Sequence, residues 1–347
     1  QNACPHRGAS MFFGRNEEDG LRCVYHGWKF DHTGACTDMP NEPAESNFKH
    51  KIHAVAYPGA EWGDLIWVYM GPQHLQPELP QLEFALLPAG HRRVNKWQQD
   101  GNWAQGLEGN IDSAHISFLH RTFEDPARPR PNRRVGHRDG SPVLSVKETE
   151  FGFMYGARRN DADGAFYWRL TPFLVPSYTC IPQPYWPRTC HMVIPRDDET
   201  LWWFVAYYNI ERPFPDTVPL RQAQADFLIP GTFEAAPDRH NDFHMDRAKQ
   251  KTYNYTGINS IRVQDMAMTE TMAPVLDRTV EHLGTTDLAI IMMRRQLMRL
   301  ARDLQQGIEP FAATHGSAYN VRSFDAVDPE GDLGTVMDNN RPQILLA

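Results

Sequence analysis

The chain has 347 residues, of which 41% are hydrophobic and 22% charged, so it can bury a substantial core and lacks the composition of a disordered protein. A net charge of −8 and a pI near 6.0 leave no basic field to displace phosphate counterions, which excludes a general nucleic-acid binder and disfavours attraction to an anionic membrane. The most apolar run, Leu288–Met293, is cut off by Arg294 and Arg295, far short of a bilayer span.

Residues 1–72 are rich in Gly, His and Cys, with strand-like runs at Leu21–Val24 and Leu65–Met70. Two matched segments stand out, CPHRGA (Cys4 to Ala9) and CVYHGW (Cys23 to Trp28). Together they read C-x-H, sixteen residues, C-x-x-H. Two thiolates can hold one iron of a [2Fe–2S] cluster and two imidazoles the other, an exchange that raises its potential. Gly8 and Gly27 permit tight turns that bring N–H groups toward the sulfides, and Tyr25 and Trp28 can shield the site. A structural zinc is the plain alternative, but zinc fingers pair Cys with Cys and His with His, whereas each pair here has one of each. Five cysteines without a secreted-domain spacing, and no signal peptide, point to a reducing compartment, the cytoplasm. Cys36, Cys180 and Cys190 read as buried, inert thiols.

Pro72, Pro77 and Pro80 punctuate a connector. From Trp97 to His120 the pattern turns helical, with Leu107, Ile111, Ile116 and Leu119 spaced for a buried side. This stretch carries Asp112, His115 and His120 as D-x-x-H-x-x-x-x-H. Asp112 and His115 share a helix face, so the carboxylate can orient the imidazole. His115 and His120 stand about 140° apart on a straight helix, too far for one metal, so the helix must distort or end between them. With fifteen histidines in the chain such a pair can arise by chance. The upstream cluster motif changes that reading, because its electrons need an acceptor. Two imidazoles and one carboxylate on one face of Fe(II) leave positions open for O₂ and substrate.

A loop dense in Pro and Arg is expected at Pro126–Arg134. Strands are expected at Val143–Phe153, Ala165–Leu174, Thr189–Ile194 and Leu201–Ile210, with turns at Asp161–Gly164 and Arg196–Glu199. Residues 260–306 read as helical, with Leu288, Ile291, Met292 and Leu297 on one side and Gly307 as the stop. The last forty or so residues read as loop. Asp265 is the preferred third ligand: beside Val263, Met266 and Met268 an acid is costly unless a metal or Arg262 neutralises it. Glu270, Asp277 and Asp287 are rivals. The fold class is α+β: a small all-β [2Fe–2S] domain over residues 1–72, then a catalytic mononuclear-iron domain over 73–347, its antiparallel sheet covered by helices in the helix-grip manner.

CPHRGA, CVYHGW, EGNIDSAHISFLH and EHLGTTDLAIIMMRRQL together resemble the oxygenase components of the phthalate dioxygenase group of Rieske non-haem iron oxygenases, over residues 1 to about 300. The resemblance implies Cys4, His6, Cys23 and His26 as cluster ligands. It implies His115, His120 and Asp265 as ligands of a mononuclear Fe(II), Asp265 lying in the family's Q-D pair with Gln264. It assigns Asp112 the catalytic task of joining His26 of a neighbouring subunit to His115, in a homotrimer or stacked trimers. A flavin and iron–sulfur reductase using NADH or NADPH would supply the electrons. The family has a longer segment before its first cysteine, where this sequence has three residues, so the sequence is expected to begin inside a longer protein.

The resemblance also implies an aromatic acid as substrate, which needs a cation in the pocket. Strand alternation puts Phe151, Phe153, Tyr155 and Arg159 on one face, and Met192, Ile194 and Arg196 on another. An arginine ending an apolar face can clamp a carboxylate bidentately, so Arg159 and Arg196 are the expected substrate-binding pair, suited to a dicarboxylate such as phthalate. For each, a snorkelling or salt-bridged arginine is the alternative. The expected reaction is cis-dihydroxylation with O₂. Monooxygenation, as in O-demethylation of a methoxybenzoate, is the rival outcome. A Rieske electron-transfer protein is the rival class, and it leaves D-x-x-H-x-x-x-x-H without a purpose.

Overall fold

Short strands and tight turns build the N-terminal part. In the computed structural model, which describes residues 1–123, 139–161, 164–183, 185–215 and 226–346, the chain divides into two compact units. The first comprises Gln1–Trp62 and Ile66–Gln76, the second Gly63–Leu65 and Pro77–Ala347. The loop expected at Pro126–Arg134 lies outside the described residues, as does part of the turn at Asp161–Gly164. No helix among the described residues is long and apolar enough to cross a membrane.

In the first unit, β1 (Arg15–Glu17), β2 (Gly20–Arg22), β3 (Lys29–Phe30) and β4 (Cys36–Asp38) form an antiparallel meander in chain order. A hairpin of β5 (Gly59–Trp62) and β6 (Leu65–Val68) follows. The core is small: Cys4, Met11, Cys23, Trp28, Phe30, Cys36 and Met39. Two of these are cysteines of the matched segments, and a domain with so little apolar core commonly depends on a bound metal. Arg22 ties the sheet to the second segment, bonding Glu17 (2.9 Å), Asp38 (2.7 Å) and the Gly27 carbonyl (2.6 Å).

The second unit is an eight-stranded antiparallel sheet: β7 (Arg92–Asp100), β8 (Val143–Thr149), β9 (Gly152–Asn160), β10 (Phe166–Leu174), β11 (Tyr178–Ile181), β12 (Arg188–Pro195), β13 (Thr200–Tyr208) and β14 (Phe324–Asp328). Its order is β7-β13-β12-β11-β10-β9-β8, with β14 paired to β10. Helix α1 (Trp103–Ile111) lies on one face, against Val193, Leu201 and Trp203. Gly106 allows that approach, since a Cβ there would stand 3.0 Å from Leu201. On α1, Glu108 binds Arg294 (2.7 Å) and Arg278 (3.0 Å), anchoring it to α3 (Leu288–Gln305). The mixed α+β class thus matches expectation.

Several local readings are corrected. The expected helix from Trp97 begins as a strand: β7 buries Arg93, Asn95, Trp97 and Gln99 on alternate positions. Three of those four are polar, so hydrophobic alternation could not announce it. Its register puts Trp97 opposite Trp203, the indoles stacked 5.8 Å apart. The helix ends at Ile111, before either histidine. The Asp112 side chain accepts from the Ala114 N–H (2.6 Å) and Arg159 captures the Ser113 carbonyl (2.7 Å), so the backbone cannot continue the helical ladder. Residues 260–306 form two α-helices, α2 (Ile261–Thr271) and α3, separated by a stretch that includes Pro274 and two short 3₁₀ turns, Arg278–Val280 and Thr285–Asp287. The buried side of α3 is Ala289, Ile290, Met293 and Gln296, about one position away from the expected face. Gly307, at φ +79°, does end α3: its N–H and that of Ile308 bond the Leu304 and Asp303 carbonyls, each at 2.9 Å. The last forty residues are not all loop, for they supply β14 and helix α4 (Leu333–Asn339), whose Leu333 packs over Gly156.

Candidate metal centres

The two cysteine–histidine segments fold alike. In each, the cysteine N–H bonds the carbonyl five residues on, Ala9 or Trp28, at 2.8 Å. The glycine N–H four residues on returns to the cysteine carbonyl, Gly8 to Cys4 at 2.8 Å and Gly27 to Cys23 at 2.9 Å. Both glycines take left-handed backbone, φ +78° and +80°, which closes each loop tightly. The result is two facing loops with the cysteines buried together and the imidazoles together. His6 and His26 have ring centroids 4.4 Å apart, and Trp28 stacks on His6 at 4.3 Å. His6 Nδ1 is buried without a hydrogen-bond partner among the described residues, an arrangement that suits a metal ligand. Burial pushes the Cys4 thiol up, and the neighbouring Cys23 adds to the shift, so it needs a metal to remain a thiolate. This donor set fits a [2Fe–2S] cluster.

The second centre is assembled from two distant segments. His115 starts a single 3₁₀ turn after α1, His120 follows it, and Asp265 projects from α2. His115 Nε2 and His120 Nε2 are 3.1 Å apart, and Asp265 Oδ1 lies 3.1 Å from His120 Nε2 and 3.7 Å from His115 Nε2. Both Nδ1 atoms are committed elsewhere. His120 Nδ1 donates to Gln264 Oε1 (2.8 Å), and His115 Nδ1 faces Asp112 Oδ2 (3.3 Å). Two Nε2 lone pairs and a carboxylate oxygen therefore converge on one point, which is repulsive without a cation between them. Burial works against the Asp265 charge, yet the His120 contact and the nearby positive groups hold its carboxyl below the usual range. Burial likewise opposes ionisation of Asp112, and the contact with His115 reverses the sign. The site thus favours positive charge and fits a divalent iron.

The rival acids are occupied elsewhere. Glu270 is buried near Asp100 and pushed up to about 8 by burial and that neighbour. Asp277 caps the Thr279 N–H, and Asp287 accepts from Gly284. Gln264 sets the His120 tautomer, so Gln264→Leu is expected to lower iron affinity on the order of 10- to 100-fold with the cluster spectrum intact, as read by chelator titration.

The arginines behave differently from expectation. Arg159 is 1% exposed, and its donors are taken by the Asp139 carbonyl (2.9 Å) and the Ser113 carbonyl (2.7 Å). It braces the segment after Asp112. Arg196 stands exposed in the turn after β12, 6.0 Å over the Trp202 ring. Pro195 ends the strand and the Asp197–Thr200 turn carries Arg196 out to solvent, so it does not extend the apolar face of Met192 and Ile194. Sequence reasoning missed Arg169 of β10. It is 9% exposed, and its Nε has no hydrogen-bond partner among the described residues. The signal was its place on the same strand face as Tyr167 and Thr171, opposite Ala157 and beside Arg159.

Comparison with known proteins shows the family of the chain. The Rieske [2Fe-2S] domain family matches residues 1–56, and the family described as LigXa C-terminal domain like matches residues 68–335. The phthalate 4,5-dioxygenase oxygenase subunit of Pseudomonas putida is 38% identical, over 88% of this chain and 72% of its own. The 5,5'-dehydrodivanillate O-demethylase oxygenase subunit of a Sphingobium species is 31% identical, over 91% of this chain and 69% of its own. Among solved structures, a Pseudomonas putida CBB5 NdmA variant with caffeine superposes with a TM-score of 0.59 at 19% identity, covering 90% of this chain and 81% of that one, which speaks to the fold alone.

Proposed function

Because this chain belongs to the Rieske non-haem iron oxygenases, we propose that it cis-dihydroxylates an aromatic carboxylate, phthalate or a near relative. As an oxygenase component it works with a separate reductase, an organic substrate and O₂. When bound, the [2Fe–2S] cluster supplies single electrons and the mononuclear iron activates O₂. In this reading Cys4, His6, Cys23 and His26 hold the cluster, and His115, His120 and Asp265 hold the iron. Asp112 orients His115, Gln264 orients His120, and Arg159 braces Ser113 beside them. In a homotrimer or stacked trimers, Asp112 also meets His26 of the partner subunit. Free cysteines throughout the chain suit the cytoplasm, where a pyridine-nucleotide reductase operates.

Arg169 is the observation that carries the acid reading. Its charge acts on His115, Arg159 and Tyr155. Asp325 sits opposite it across β14 but gives one oxygen to the Tyr167 hydroxyl (3.1 Å) and forms no ion pair with Arg169. A buried guanidinium whose Nε has no partner among the described residues, acting on an iron-site histidine, is a place for a substrate carboxylate. In Arg169→Met, KM for phthalate should rise roughly 10- to 100-fold, the cost of a charge-assisted bond, with kcat little changed. An unaltered KM for every aromatic acid would remove the anchor. O-demethylation is the second reading, favoured by the likeness to the dehydrodivanillate enzyme. Product formed under ¹⁸O₂ separates them: two labels in a cis-diol, or one in a hydroxylated product.

A further inference from the structure

The Asp265 carboxylate is approached from both sides. Its Oδ1 faces the two imidazoles, while its Oδ2 lies 3.6 Å from Arg262 Nη1, one turn earlier on α2. Arg262 is itself held from the sheet: its Nη2 donates to His191 Nε2 of β12 at 3.1 Å, and Tyr207 of β13 makes a further contact. His191 is 0% exposed, and burial, reinforced by the charge on Arg262, keeps it neutral. A neutral imidazole has one lone pair, and both its polar neighbours, Arg262 and the Trp203 indole N–H (3.3 Å), can only donate. The nearer, charged guanidinium takes it, which fixes the tautomer and pins the guanidinium against Oδ2.

A carboxylate can hold a divalent ion through one oxygen or two. Here the second oxygen already faces a fixed positive charge, and that charge also repels a metal placed among His115, His120 and Oδ1. We propose that Arg262, held by His191, restricts Asp265 to one-oxygen coordination of the iron, weakening the iron's grip but keeping a position open. Both are positioning residues, since neither touches the reacting atoms. The inference rests on the assignment of His115, His120 and Asp265 as iron ligands.

Purified, iron-loaded protein is compared with Arg262→Met, Arg262→Lys and His191→Asn. One readout is iron loss from the mononuclear site to a chelator, with the cluster absorbance as internal control. The other is the electron paramagnetic resonance signal of the ferrous site with nitric oxide. Arg262→Met should lose iron about tenfold more slowly and give a smaller or reshaped nitric oxide signal. Arg262→Lys, which keeps the charge, should stay near the parent, and His191→Asn should fall between. Iron loss at the parent rate or faster in Arg262→Met overturns the proposal, because a merely structural arginine would loosen the site when removed. Should that variant misfold, His191→Asn decides on the same criterion. Parent protein without a mononuclear ferrous signal would instead sink the ligand assignment.

Discussion

Replacing Asp112 with alanine should leave three irons per chain and a normal visible spectrum, while single-turnover product formation slows on the order of 100-fold. Asp112 supplies no ligand to either proposed centre. Its Oδ2 stands 3.3 Å from His115 Nδ1, and its Oδ1 accepts from the Ala114 N–H at 2.6 Å. The first contact keeps the His115 lone pair on Nε2, the second holds the carboxylate still. In the trimeric reading the same carboxylate supplies the hydrogen-bonded link to His26 of the partner subunit. Alanine removes that link and leaves His115 free to rotate, while the Cys4, His6, Cys23 and His26 loops keep their own backbone bonds. The measurement is product per chain from pre-reduced protein, alongside iron analysis. Undiminished, fully coupled turnover would remove the bridging role.

Replacing His120 with alanine should reduce iron from three to two per chain, keep the cluster spectrum and abolish product. The geometry leaves little room for rescue. His120 Nε2 lies 3.1 Å from both His115 Nε2 and Asp265 Oδ1, so its loss opens one side of the triad. Gln264 would lose its imidazole partner, since its Oε1 accepts from His120 Nδ1 at 2.8 Å. Its amide still donates to the Ile258 carbonyl at 2.9 Å and stays in place, so it cannot swing in as a replacement. Three irons in the purified variant would mean that the mononuclear metal sits elsewhere. The two substitutions separate an iron ligand from a residue that positions one: one removes a metal, the other removes only rate.

The cluster loops were legible because each cysteine–histidine pair lies within a single turn, and the tight backbone that positions it is written into the same few residues. Gly8 and Gly27 at positive φ are the clearest case. The histidine pair at 115 and 120 was legible as a contradiction: the offset fits no straight helix, and the chain resolves it by ending α1 at Ile111. Strands such as β10, β12 and β13 announced themselves through aromatic and β-branched runs. β7 did not, because its buried positions are largely Arg, Asn and Gln, satisfied by partners that a local window cannot see. β14 was hidden for a related reason, as it pairs with β10 from more than 150 residues away.

Residue types and short spacings therefore determined the α+β class, the two kinds of metal chemistry and most of the donors offered to them. Composition left four acids open and the family resemblance singled out Asp265; the fold brings it to His120 across 145 positions, and the folded chain alone decided which arginines keep a buried Nε unpaired among the described residues. The physical reason is that a donor within a turn is placed by local backbone geometry. A buried charge is placed by whatever distant groups satisfy it or fail to: for Arg159 and Arg262 those groups, Ser113 and His191, lie far away in the sequence, and for Arg169 no such group meets its Nε among the described residues.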